Sequence, residues 1–95
     1  MRPDQPNGKQ DSVNDAMTLA LMALGWTLAE ESRADRLLAL TGIDVETLRA
    51  GVGDPAIMAA ILSFLANHEP DLIACAQAIN TTPAALIAAQ EILSR

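Results

Sequence analysis

Asp54-Pro55-Ala56-Ile57-Met58-Ala59-Ala60-Ile61-Leu62-Ser63-Phe64-Leu65-Ala66-Asn67 opens on a carboxylate, then a proline, then runs almost without polar residues. A carboxylate there can accept the free N–H groups of a helix start, and proline at the first helical position gives up a donor that would have no partner anyway. Ile57, Ile61 and Leu65 fall on one line at four-residue spacing, with Met58 and Leu62 beside them. An apolar face that wide belongs to a helix with neighbours on several sides. The stretch therefore predicts a core helix inside a helical bundle.

Towards the C-terminus the same punctuation recurs. Pro70 restarts the chain after His68-Glu69, and Leu72, Cys75, Ala76 and Ile79 give the next helix its apolar face. Asn80 is suited to end it in the left-handed conformation. Thr82-Pro83 repeats the cap-then-proline signal and opens a last helix with Leu86, Ala89, Ile92 and Leu93 inward.

Towards the N-terminus, Asp44 caps a short helix over Val45–Ala50, closed by Gly51 and Gly53. Ser32 with Asp35 opens a helix through Leu37, Leu38 and Leu40, which Gly42 ends as a left-handed residue. Ser12 with Asp15 starts the first helix, which runs to about Glu31. It carries two apolar stripes, Met17-Leu21-Leu24-Leu28 and Leu19-Met22-Trp26, with Ala20 and Ala23 between them. Gly25 weakens that helix by roughly 1 kcal/mol relative to alanine and would let another helix pack close. Residues 1–11 hold Pro3, Pro6, Asn7 and Gly8 with no apolar period, and read as a disordered tail before one helical domain over 12–95.

Composition agrees with about six short helices in an all-α bundle. Aromatics are 2% of the 95 residues, Trp26 and Phe64 alone, so the core is aliphatic and alanine-rich, which favours helices over strands. The net charge of −6 repels phosphate backbones and anionic lipid. The charge-free stretch of the first helix, Ala16 to Ala29, is shorter than the ~20 apolar residues of a membrane span, and no cleavable secretory signal is evident. Cys75, the lone cysteine, cannot form an internal disulfide; set in an apolar run, it reads as a core residue of a cytoplasmic protein.

Ala23-Leu24-Gly25-Trp26, Leu40-Thr41-Gly42-Ile43-Asp44 with Leu48-Arg49, Asp54-Pro55, and Phe64-Leu65 through Glu69 to Leu72 form a recurring set. On these motifs the chain, from Ala16 to Leu93, resembles a family of short bacterial proteins classed as a domain of unknown function. The resemblance implies a small cytoplasmic helical protein and brings no activity or catalytic residue with it.

Chemistry-bearing constellations are sparse. His68, Glu69 and Asp71 lie within four residues, but a zinc site needs three or four ligands, and the acids suit a helix N-terminus as they stand. Ser63 and Ser94 lie in no nucleophile elbow, and Gly51-Val52-Gly53 lacks the Lys and Ser/Thr of a phosphate loop. Neither an enzyme nor a cofactor, metal or small-molecule site is expected. Ala76 to Leu86 has the outline of a DNA-binding helix-turn-helix, the alternative function being transcription-associated. Its groove-facing positions, Thr82, Pro83, Ala84, Ile87, Ala88 and Glu91, hold no base-reading side chain. What remains is a protein-interaction or structural module. A domain this small cannot easily bury both stripes of its first helix. Leu19, Met22 and Trp26 are therefore the candidate interaction face, Trp26 its anchor, for a second copy or another protein.

Overall fold

The computed structural model describes residues 8–95, with side chains from Ser12 onward. Six helices follow in order: α1 (Gly8–Leu28), α2 (Glu31–Thr41), α3 (Val45–Ala50), α4 (Pro55–Ala66), α5 (Glu69–Ala78) and α6 (Pro83–Leu93). No strand occurs among the described residues. Of the expected tail, residues 1–7 lie outside the described part, while α1 already begins at Gly8 rather than at Ser12.

Three helix starts are built as the local chemistry dictates. Asp44 accepts the Thr47 N–H at 2.7 Å, Asp54 accepts that of Ala56 at 2.9 Å, and the Thr82 hydroxyl accepts that of Ala85 at 3.1 Å. Each satisfies one of the donors that a helix N-terminus leaves unpaired. The Thr47 bonds hold the Asp44 carboxyl below its usual range. At α2 the cap differs. Glu30 is the extended residue before the helix, and Ser32 sits inside the first turn, donating to the Glu30 carboxylate at 3.0 Å. Gly42 (φ 73°) ends α2 in the left-handed region, with its N–H bonded to Leu38, and Asn80 (φ 66°) follows α5 in the same conformation.

α4 is the centre. It packs against α1, α2, α5 and α6, and Met58, Ile61, Leu62 and Leu65 are wholly buried on it. Leu37 from α2, Leu72 and Cys75 from α5, and Leu86 and Leu93 from α6 close around it.

α1 lies along α6 and α4, and it faces them with its smallest side chains. Ala16, Ala20, Ala23 and Thr27 are fully buried at i, i+4, i+7 and i+11, one straight seam, with Leu24 beside it. The Thr27 hydroxyl is satisfied within the helix, donating to the Ala23 carbonyl at 2.8 Å. Small residues let helix axes approach closely, so the alanines make the centre of the inward face, with Leu24 at its edge. Leu21 and Leu28, half of the first apolar stripe, are consequently turned outward.

Two glycines have opposite surroundings. Gly51 is buried at the end of α3, where a Cβ would stand 2.6 Å from Ile57 Cγ1 and 3.0 Å from the Thr47 carbonyl oxygen. Only glycine lets the turn approach α4 this closely. Gly25, expected to let another helix pack close, has nothing within 4 Å of where its Cβ would be. Gly51→Ala is therefore expected to lower stability by about 1–3 kcal/mol through overpacking. Gly25→Ala should raise it by up to about 1 kcal/mol through helix propensity. Urea unfolding of both variants beside the wild type checks the pair, and a loss at Gly25 as large as that at Gly51 would show the Gly25 site to be filled in solution.

Candidate functional site

The outward face of α1 is set by the seam on its inward side. Thr18, Leu21, Met22, Gly25, Leu28 and Ala29 share that outer face at helical spacing, and all six are exposed. Leu21 keeps 51% of its surface in water, and Met22 and Leu28 keep 44% each. No charged residue occurs from Ala16 to Ala29. Thr18 turns its hydroxyl back to donate to the Asn14 carbonyl at 3.0 Å. In the middle of the face, Gly25 leaves the backbone bare.

The apolar surface continues past the helix. Met17, Thr18 and Leu21 line a shallow hollow of about 160 Å³ with Val52, Gly53 and Met58 from the α3–α4 turn and the first turns of α4. Val52 is itself exposed.

Of the three residues expected to form an interaction face, only Met22 lies on this exposed surface. Leu19 and Trp26 are half-buried and pack against the core. Trp26 is covered by Arg33, whose guanidinium carbon stands 3.8 Å from the ring centroid. The same guanidinium donates to the Trp26 carbonyl at 2.5 Å and lies 3.4 Å from the Glu30 carboxylate. A cation over an aromatic face and at a helix C-terminus is doubly favoured. Arg33 was not singled out from the sequence; the signal was a lone cation seven residues after a tryptophan, across a helix break. Leu21, Gly25 and Leu28 take the places on the exposed face that Leu19 and Trp26 were expected to hold.

The His68-Glu69-Asp71 group is tied to the fold. Asp71 accepts a hydrogen bond from Arg36 at 2.7 Å, strapping α5 to α2, and His68 Nε2 stands 3.8 Å from the same carboxylate oxygen. His68 precedes α5 without a side-chain capping bond. Among the described residues no three His, Cys, Asp or Glu side chains converge as metal ligands.

A second concavity, about 560 Å³, lies between the end of α2 and the second half of α4, lined by Leu40, Thr41, Ala60, Ser63, Phe64, Asn67 and His68. Its size suits a small ligand. Two of its polar groups already have partners: the Thr41 hydroxyl donates to the Leu37 carbonyl, and the Ser63 hydroxyl accepts from the Gln90 amide. Leu40 is 75% exposed on its rim.

α5 and α6 turn by 102°, within the range of helix-turn-helix units. The exposed positions of α6 are Ala84, Ile87, Ala88, Glu91 and those of its immediate end, none carrying a base-reading group before Arg95. Among the described residues no single helix is long and apolar enough to cross a membrane.

Residues 13–95 match the DUF3572 family, described as proteins of unknown function, and the chain belongs to that family. No curated protein and no solved structure matches it.

Two outcomes follow from the corner where α1, α2 and α5 meet. Arg33→Ala is expected to cost about 1–3 kcal/mol, because it removes a cation–π contact and a charge-assisted hydrogen bond together. Trp26 fluorescence should shift to the red in the folded variant as the ring gains water.

Burial pushes the Cys75 thiol up to about 11, with Arg33 opposing and Asp71 adding to the shift. A folded value above the unfolded one means that its stabilising contribution is complete below about pH 9 and is lost as pH rises towards 11. Unfolding curves between those values should show the decline in the wild type and less of it in Cys75→Ala. Native Cys75 should also resist alkylation at neutral pH until the chain unfolds.

Proposed function

We propose that this member of the DUF3572 family is a small bacterial protein-interaction module of the cytoplasm, and that it works by docking an apolar helix along the outer face of α1. The observation that carries the reading is the exposed, uncharged row Leu21-Met22-Gly25-Leu28 on a chain of net charge −6. Four turns of the longest helix hold no ionised group. Large apolar rows seldom face water without a partner. The bare backbone at Gly25 would let a partner helix approach as closely as α6 approaches the alanine seam on the other side. A lone, buried thiol suits a reducing compartment.

The size of the face sets the strength of binding. Covering the exposed halves of Leu21, Met22 and Leu28 would contribute roughly 3–4 kcal/mol. That is well short of what a standard interface of about 800 Å² per partner provides, so the association is transient and about millimolar.

A neutral helical peptide of about four turns, leucine on one face and glutamine on the other, is a direct probe. Titrated into isotope-labelled protein, it should shift the amide resonances of Thr18, Leu21, Met22, Gly25 and Leu28. The double variant Leu21→Ser/Met22→Ser should lose those shifts while keeping its helical circular dichroism. Shifts centred instead on Leu40 and Phe64, or full binding by the double variant, would overturn the assignment.

A further inference from the structure

Resting on the docking face just described, we infer that its occupant is a basic amphipathic helix of another protein: an apolar stripe of about four turns with Lys or Arg at both ends. The charges around the face point to it. Asp15 is exposed one turn before Thr18, at the edge of the face that borders α6. Glu31 is exposed directly after the last turn, where its neighbour Glu30 is paired with Arg33. Asp54 is exposed beside Val52 and Gly53, where the hollow continues the face. From Ser12 to Glu31 the chain contains no Lys or Arg. The cations that come next are committed: Arg33 lies on Trp26 and Glu30, and Arg36 is bonded to Asp71.

The C-terminal end of α1 adds nothing to this rim, because Arg33 already donates to its Trp26 carbonyl. Asp15 before the apolar row and Glu31 after it nevertheless border it with acid at both ends, and the α1 segment between them, from Asp15 to Leu28, is about 20 Å long. An occupant with cations at that separation meets attraction at both ends, and its apolar stripe covers Leu21, Met22 and Leu28. Such pairing mainly sets the rate and specificity of encounter.

The same charges disfavour a second copy of this chain. Antiparallel pairing about the middle of the face would set Asp15 of each copy against Glu31 of the other. Parallel pairing would set Asp15 on Asp15 and Glu31 on Glu31. In both arrangements acid opposes acid at each end of a face too small to offset the repulsion.

Three synthetic helices with one shared leucine stripe test this on the full chain: one with Lys at both ends, one with Gln, one with Glu. At low salt the Lys-ended peptide should bind roughly tenfold or more tighter than the Glu-ended one, and the gap should narrow as salt screens the rim. Asp15→Lys/Glu31→Lys should reverse the preference. Met22→Glu separates docking from general attraction to an acidic protein. It should weaken the Lys-ended peptide if the face is the site, whereas a diffuse electrostatic attraction would be strengthened by the extra carboxylate and the proposal overturned. Equal binding of all three peptides would overturn the basic partner and leave the docking face standing. Failure of all three to bind would remove both. Self-association of the wild type by light scattering, abolished in Met22→Glu, would replace the basic helix by a second copy.

Discussion

Close approach of α1 to α4 and α6 rests on the size of the side chains at Ala16, Ala20, Ala23 and Thr27. Any larger residue in that row would push the longest helix away from the centre and open space around Met58, Leu86 and Leu93. Packing density near that of a crystal leaves little slack for such a shift. The row also determines what faces outward. A helix with alanine inward has its leucines and methionine on the flanks and the far side, so the exposed row at Leu21, Met22 and Leu28 follows from the seam.

Arg33 shows how one cation can change the role of an aromatic residue. Trp26 lies on the flank of α1, where it would otherwise be the largest apolar surface available to a partner. The guanidinium covers the ring, bonds to the Trp26 carbonyl and neutralises Glu30, and these contacts hold the α1–α2 corner. The tryptophan is thereby taken into the structure, and the outer face is left to flexible aliphatic side chains around a glycine. Met22 suits such a surface because an unbranched thioether adapts to different neighbours.

Fold geometry and surface chemistry point in different directions at the other end of the chain. The 102° turn between α5 and α6 has the shape of a nucleic-acid-binding unit. Its second helix nevertheless exposes alanine, isoleucine and glutamate where base contacts would need amides or guanidinium groups. The same right-angled packing is a general way to join two short helices over a shared core, here Leu72, Cys75, Leu86 and Ala89.

Local chemistry was legible at most helix ends, though not at the starts of α1 and α2, where Ser12 and Ser32 are not the caps. Asp44, Asp54 and Thr82 mark helix starts because a cap is made within three residues, and Gly42 and Asn80 mark ends because φ is a property of one residue. The core line of α4 was legible as well, since Ile61 and Leu65 are large residues on a helix apolar enough to be surrounded. Which side of α1 turns inward was not. Periodicity counts apolar positions without weighing their volume, and on a helix apolar nearly all round it offers several stripes of equal standing. The choice fell to the alanines because only they fit the gap that α4 and α6 leave, a distance set by three helices together. The same limit hid Arg33, whose hold on Trp26 exists only once α2 has folded back across the end of α1. Helix boundaries are decided by neighbours in sequence; the exposed face was decided by neighbours in space.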